Sequence, residues 1–158
     1  MTTPFLARDL RRDEGLRLEA YPDPLSGAEP WTIGYGHTGP EIREGLSWTP
    51  AEAEAALIAD IARACERLDR HAPWWRELDD VRQDVLANLC FNMGWLDGSG
   101  AHGLGTFHHA LDAIRANDWP AAHDALLASA WARQVGERAR RLAAQLLAGV
   151  HAEAEPAA

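Results

Sequence analysis

Three oxygen-bearing side chains near the start of the chain have the types needed for acid–base chemistry on a glycosidic bond. Glu14 stands just before Gly15 at the predicted end of a short helix, Asp23 lies in a proline-flanked turn, and Thr32 belongs to the next strand-like run. Hydrolysis of such a bond requires one carboxyl group that protonates the leaving oxygen and a second carboxylate that directs water or stabilises positive charge on the sugar. Pairs of acids at this spacing are also common on solvated surfaces, so the spacing alone leaves both interpretations open.

The elements around these residues predict how they are positioned. Thr3 and Pro4 are typical of a helix start, and Gly15 is typical of a helix stop, which together predict a helix over residues 4–14. The run "LRLEAY" alternates apolar and polar residues with the period of a half-buried strand, and "PDPLSGAEP" has the composition of a turn. With the β-rich run "WTIGYGH", residues 16–46 are expected to form a small antiparallel sheet.

The rest of the chain has the apolar repeat of α-helices. Thr49 and Glu52 form a capping box that predicts a long helix from about Pro50 to Arg70, and a second helix is expected to end at Gly94. Further boundaries are predicted as an N-cap at Thr106, another at Asp118, a break at "WARQVGER" and a stop at Gly149. The fold class is therefore α+β, with a small β lobe, a larger helical lobe and a groove expected between them.

Several motifs, taken in order, resemble one known family. "DEGLRLEAYPDPLSG" followed by "WTIGYGHTG" is similar to the N-terminal signature of the phage-type lysozymes, the endolysins of glycoside hydrolase family 24. The similarity continues at "FNMG", at "SAWARQVGERARR" and in the glycine that closes the last helix, so it extends over roughly residues 5–150.

This resemblance implies a lysozyme-like fold. It predicts one catalytic domain over residues 1–150, with a β lobe at about 16–46 and a helical lobe at about 73–150 that also includes the helix 4–14. The helix that starts near Pro50 would join the lobes, and the active site would lie between them. Residues 151–158 are expected to form a flexible tail.

The resemblance also assigns roles to individual residues. Glu14 corresponds to the family's general acid, Asp23 to its second carboxylate, and Thr32 to the threonine that positions the attacking water. Arg138 corresponds to the arginine that pairs with the catalytic glutamate. Eight residues separate Asp23 from Thr32, which is a longer turn than in the shortest family members.

Other candidates carry both a functional and a structural interpretation. His37, in "YGHTG", is more often a hydrogen-bonded structural histidine than a catalyst. Phe91 and Asn92 match positions that line the family's groove, and a buried phenylalanine with a helix-end asparagine is the structural alternative. Trp119 and Trp131 lie in core-like helical patterns. Four further tryptophans are undecided between packing and sugar contact: Trp31, Trp48, Trp74 and Trp75.

The sequence predicts no metal site and no cofactor. Neighbouring histidines on a helix point in different directions, and no carboxylate or cysteine stands at ligand spacing from them, which disfavours zinc at His102, His108 and His109. Cys65 and Cys90 are interpreted as small buried apolar side chains, although a disulfide stays open if their helices pack together.

Bulk composition excludes several classes of function. The net charge is −9 and all 15 basic residues are arginine, so the chain is a poor ligand for nucleic acids or anionic membranes. No apolar run reaches membrane-spanning length and no signal peptide is recognised, so we expect no membrane insertion and synthesis in the host cytoplasm.

The resemblance implies a monomeric muramidase that hydrolyses peptidoglycan and lyses the host cell after a separate holin-like membrane protein releases it. A lytic transglycosylase and a non-catalytic wall-binding domain on the same fold are the alternatives.

Overall fold

The computed structural model describes residues 1–152 of the chain, which form seven α-helices, a three-stranded sheet and two short 3-10 turns. The chain divides into two compact units: the β unit, Ala7–Arg63, and the helical unit, which combines Met1–Leu6 with the chain from Ala64 onward. Most of the predicted tail, residues 153–158, lies outside the described residues. The helices are α1 Pro4–Glu14, α2 Pro50–His71, α3 Asp80–Met93, α4 His108–Arg115, α5 Trp119–Leu127, α6 Ala130–Val135 and α7 Glu137–Ala148. The strands are β1 Arg17–Tyr21, β2 Thr32–Gly34 and β3 His37–Thr38.

Helix α1 ends where the sequence predicts. Gly15 adopts a φ of 69° and its N–H donates to the Arg11 carbonyl at 3.1 Å. A left-handed residue at this point stops the helix, and glycine adopts that conformation without a steric cost. Glu14 is therefore fixed at the last helical position, immediately before the sheet begins.

The sheet is antiparallel throughout, in the order β1-β2-β3. Arg17 pairs with Gly34, and Tyr21 pairs with Thr32. These two pairs are four residues apart on β1 but only two apart on β2, so β1 contains a bulge between them. Glu19, within the bulge, forms an isolated bridge with Ser47. Leu16, the first apolar residue of the alternating run, was expected on the buried face of the strand, but it precedes β1 and is 42% exposed.

The capping box of α2 is confirmed. The Thr49 N–H donates to Glu52 at 2.7 Å, and the Glu52 N–H donates to the Thr49 hydroxyl at 3.2 Å. Helix α2 begins at Pro50 and extends to His71, one residue beyond the predicted end. Within the β unit its first turns contact α1 through an ion pair between Arg11 and Glu54.

Helix α3 is buried on nearly all sides within the helical unit, and every residue from 83 to 90 is buried. Its buried polar side chains are hydrogen-bonded, as burial in a low-dielectric interior requires. Gln83 donates to the Leu78 carbonyl at 2.7 Å, Asp84 accepts from the Thr3 N–H at 2.8 Å, and Asn88 accepts from Arg138 at 2.9 Å.

Two predicted boundaries among the later helices are wrong. Thr106 is not an N-cap: it ends a 3-10 turn, and its hydroxyl donates to the Gly103 carbonyl. The stretch "WARQVGER" is not a break over its whole length, because Ser129 caps the Ala132 N–H at 3.1 Å and starts α6, which continues to Val135. The chain breaks only at Gly136, which has a φ of 60°. Asp118, by contrast, caps α5 as predicted, accepting from the Ala121 N–H.

Both cysteines are free thiols. Cys90 is fully buried on α3, and this burial raises the pKa of its thiol to about 11. Among residues 1–152, no helix is both long and apolar enough to cross a bilayer. The observed elements confirm the α+β class, with a small antiparallel sheet and a larger set of helices.

Candidate active site

The Glu14 carboxylate lies against the turn that joins β2 to β3. A Cβ atom placed on Gly36 would come within 2.8 Å of Glu14 Oε2, so the carboxylate contacts the bare backbone of that turn. Gly36 itself has a φ of 72°, a conformation that favours glycine. Glu14 is half-buried, and its carboxyl group is thus held at one end of the short sheet.

Asp23 is held in a closed turn just after β1. Its backbone N–H donates to the Ala28 carbonyl at 3.0 Å, and its own carbonyl accepts from Gly27 at 2.8 Å. One carboxylate oxygen, Oδ2, accepts from the Ser26 N–H at 3.2 Å. The other oxygen accepts no hydrogen bond from the residues that the structure describes, and it is available to a ligand.

Thr32 occupies the first position of the central strand. It pairs with Tyr21 on one side and with Thr38 on the other. Tyr21 precedes Asp23 by two residues, so the sheet brings Thr32 and the Asp23 turn to the same end. Although the turn between Asp23 and Thr32 is long, both of its ends therefore lie at this end of the sheet.

An open pocket of about 580 Å³ adjoins Thr32 within the β unit. Its wall includes Trp31, the chain neighbour of Thr32, and Thr38, its cross-strand partner. The remaining lining residues are Glu29, Pro30, Gly39, Pro40 and Ile42. The volume lies in the range of small-molecule sites, and Trp31, Pro30 and Pro40 give the pocket aromatic and apolar surface.

His37 is bound by two carboxylates of the β unit. Nδ1 lies 2.7 Å from Asp60 Oδ2, and Nε2 lies 3.0 Å from Glu41 Oε1. Burial lowers the pKa of His37, but the hydrogen bonds to Glu41 and Asp60 outweigh it, so the pKa is raised above 6.5. The same contact with His37 lowers the pKa of Glu41. The ring also lies 5.4 Å from that of Trp48, which is consistent with a structural role.

Arg138 is buried at the start of α7 in the helical unit. Its Nε and Nη2 both donate to Asn88 Oδ1, at 3.1 and 2.9 Å. Because Asn88 is 1% exposed, this fork fixes the guanidinium on the central helix α3. The pairing of Arg138 with Glu14 stays a prediction.

Asn92 and Phe91 lie in the last turn of α3. Asn92 Oδ1 accepts from the indole N–H of Trp131 at 2.7 Å, and its amide N–H groups donate to no atom of residues 1–152. Trp131 is 8% exposed, as its core-like pattern predicts, and it also lines an open pocket of about 410 Å³ within the helical unit. The three histidines at which zinc was disfavoured line the same pocket: His102, His108 and His109. Phe91 is half-buried.

The fold thus brings Glu14, Asp23, Thr32 and His37 into the β unit, and it places Phe91, Asn92 and Arg138 in the helical unit. Three residues that contact the candidates were not predicted from the sequence. Gly36 lies against Glu14, Asp60 binds His37, and Asn88 binds Arg138. The glycine in "YGH" was a visible signal for a close backbone approach. No local pattern marks Asp60 or Asn88, since both act on residues distant in sequence.

Comparison with known proteins identifies the family. The family model described as phage lysozyme matches residues 11–146. The chain is 31% identical over 168 aligned positions to the pre-baseplate central spike protein Gp5 of Enterobacteria phage T4, covering 91% of this chain and 28% of that protein. It is 30% identical over 64 positions to the SAR-endolysin of Enterobacteria phage P21, covering 40% of this chain and 38% of that protein. The chain therefore spans well under half the length of either relative. Because the family match extends over most of the sequence, this chain belongs to the phage lysozyme family and has its lysozyme-like fold.

Proposed function

We propose that the protein is a muramidase that hydrolyses the β-1,4 bond between N-acetylmuramic acid and N-acetylglucosamine in peptidoglycan. Membership of the phage lysozyme family and the similarity to an endolysin support action on peptidoglycan. Residues 1–150 would act as one catalytic domain. Phe91, Asn92 and Arg138 are its proposed supporting residues from the helical unit.

Glu14 is the proposed general acid, which protonates the bridging oxygen as the bond breaks. Its half-buried position over Gly36 supports this role, since no side chain at residue 36 stands between the carboxyl group and the turn. A positioned acid of this kind typically contributes about 10²–10⁴-fold to the rate.

Asp23 and Thr32 are proposed to hold the attacking water on the opposite face of the sugar. The observation that carries this proposal is their common location at one end of the sheet, with Glu14 at the other. Thr32 pairs with Thr38 at that end of β3, and the turn that contains Gly36 and meets Glu14 lies at the other end of the same strand. Inverting glycosidases keep their carboxyl groups about 6.5–9.5 Å apart to make room for a water, and the proposed mechanism requires this separation between Glu14 and Asp23.

A turbidity assay on purified cell walls tests the acid. The wild type should clear the suspension, and Glu14→Gln, which keeps the shape but cannot donate the proton, should be slower by about 10²-fold or more. Glu19→Gln is the matched control, because Glu19 is an exposed acid on β1 that has no proposed role. Equal clearing by wild type and Glu14→Gln would show that the acid is misassigned.

The products distinguish the two alternatives. A hydrolase adds one water to each bond that it breaks, whereas a lytic transglycosylase forms an anhydro-sugar of correspondingly lower mass. Mass spectrometry of the released fragments should therefore show the hydrated products. Anhydro products would support the transglycosylase, and wall binding without clearing by the wild type would support the binding domain.

The proposed biological setting is host lysis, with the protein made in the cytoplasm and released to the wall by a separate holin-like membrane protein. Expression in a susceptible bacterium should cause lysis only when a membrane-permeabilising protein is co-expressed. The similarity to a pre-baseplate central spike protein favours a second setting, in which such a domain is part of a baseplate spike. Lack of lysis in both conditions, with walls cleared in vitro, would favour that setting.

A further inference from the structure

A pocket with aromatic walls lies in the helical unit, and its lining includes none of the residues proposed for catalysis. It has a volume of about 280 Å³ and is formed by the end of α2, the 3-10 turn Pro73–Glu77, the loop after α3, and α4. We call it the aromatic pocket. Its principal lining residues are His71, Trp74, Trp95, Leu111, Asp112 and Arg115.

The wall at Trp95 is held in a fixed position. The His71 ring stacks on the indole, with centroids 5.3 Å apart and planes 5° from parallel. The Trp95 carbonyl accepts from the Gly105 N–H at 2.7 Å, and a Cβ atom on Gly105 would lie 2.8 Å from the indole Nε1. A glycine at 105 therefore lets the loop close against the ring, and the aromatic surface is formed before any ligand arrives.

Trp74 and Trp75 are adjacent but have different environments. Trp75 is fully buried and its indole N–H donates to Asp69 at 2.8 Å. Trp74 is half-exposed in the pocket. Within the part of the chain that the structure describes, the indole N–H groups of Trp74 and Trp95 donate to no protein atom. Both groups are therefore available to a ligand, together with the accessible part of the Trp74 ring.

The rim of the aromatic pocket carries one negatively charged and one positively charged side chain. Asp112 and Arg115 are both exposed on α4, and their three-residue spacing places them on the same side of the helix. Across residues 1–152 neither forms an ion pair. A carboxylate and a guanidinium at the rim of an aromatic pocket offer hydrogen-bond acceptors and donors to a neutral, hydroxyl-rich ligand.

We propose that the aromatic pocket is a second glycan-binding site that holds one N-acetylhexosamine unit of peptidoglycan, an inference that rests on the proposed function. The C–H face of the sugar would pack on Trp74 and on the open side of His71. Its hydroxyl groups would bond with Asp112, Arg115 and the two indole N–H groups. Such a site would attach an acidic protein to the wall, which its net charge of −9 cannot do.

Indole resonances provide the direct test. The trisaccharide of N-acetylglucosamine is titrated into ¹⁵N-labelled Glu14→Gln protein, and the tryptophan indole N–H signals are assigned with Trp74→Phe and Trp95→Phe. The signals of Trp74 and Trp95 should shift with a common affinity. The Trp119 signal is the internal control, since Arg82 covers that ring at 3.7 Å outside the pocket. Shifts confined to other tryptophans, or none at all, would overturn the proposal.

Wall attachment provides a second, functional test. Asp112→Ala and Arg115→Ala alter exposed side chains that have no proposed role in catalysis, and Asp124→Ala and Arg133→Ala are their exposed controls in the same unit. The two pocket variants should bind purified walls several-fold more weakly and Trp74→Ala about tenfold more weakly, with hydrolysis of a soluble oligosaccharide unchanged. Unchanged wall binding would contradict the pocket assignment while leaving the proposed hydrolysis intact. Failure of the wild type to cleave would contradict the proposed function while the indole titration still reports on the pocket.

Discussion

At the scale of single residues, Gly36 is the position that most directly controls the proposed acid. A methyl group there would lie 2.8 Å from Glu14 Oε2, and the φ of 72° disfavours any residue with a Cβ. Gly36→Ala should therefore displace the Glu14 carboxyl group and lower the rate of wall cleavage by about a hundredfold, the effect of a misplacement of roughly 1 Å. Turbidity clearing measures the change.

Gly45→Ala is the matched control for this prediction. Gly45 has a φ of 84°, but a Cβ there would meet no atom within 4 Å. Both variants should lose about 1 kcal/mol of folding free energy from the left-handed backbone, whereas only Gly36→Ala should lose activity. Equal activities for the two variants would show that the contact with Glu14 is irrelevant to catalysis.

The second residue-scale prediction concerns His37. Its folded-state pKa lies above 6.5, so its bonds to Asp60 and Glu41 stabilise the fold fully below that pH. The contribution is lost as the pH rises through the folded-state pKa. His37→Asn should therefore cost about 2 kcal/mol at about pH 5.5 and clearly less at about pH 8.5, as measured by denaturant unfolding.

His123→Asn is the control, because the His123 ring pairs with the exposed carboxylate of Asp124 in the helical unit. Its effect on the free energy of unfolding should be small at both pH values. A cost for His37→Asn that is the same at both pH values would exclude charge as the reason for the stabilisation.

At the scale of elements, local signals predicted most boundaries. Gly15 ends α1, the reciprocal bonds of Thr49 and Glu52 begin α2, and Asp118 caps α5. These signals work because the side chain or the permitted φ acts on the adjacent backbone. These local signals were sufficient to predict the helix end that carries Glu14, the turn that carries Asp23 and the strand that carries Thr32. The buried bond between Asn88 and Arg138 could not, because it joins residues fifty positions apart.

Helix α6 shows why a local signal was misread. The glycine at 136 suggested a break over the surrounding residues, but Ser129 accepts from the Ala132 N–H and supports one and a half turns before that glycine. Ser129→Ala should remove this cap, lower the free energy of unfolding by about 1 kcal/mol and increase the hydrogen-exchange rate at Ala132. Ser47→Ala, at an exposed serine, is the control, and unchanged exchange at Ala132 would contradict the capping assignment.

At the scale of the whole molecule, the net charge of −9 has a direct consequence for action on an anionic wall. Long-range repulsion opposes the encounter, and salt screens it, since the Debye length falls from about 30 Å at 0.01 M to about 8 Å at 0.15 M. Wall clearing should therefore accelerate over this range, while hydrolysis of an uncharged soluble oligosaccharide stays constant. A steady decrease in wall clearing would instead indicate a local basic patch that dominates binding.

In the proposed mechanism, Glu14 donates a proton while Asp23 and Thr32 direct water to the opposite face of the sugar. The configuration of the newly formed reducing end tests it most directly, by NMR spectroscopy during the first moments of cleavage, before the anomers equilibrate. The α-anomer should appear first, because a single displacement inverts the β linkage. Initial formation of the β-anomer, or of an anhydro-sugar, would contradict it.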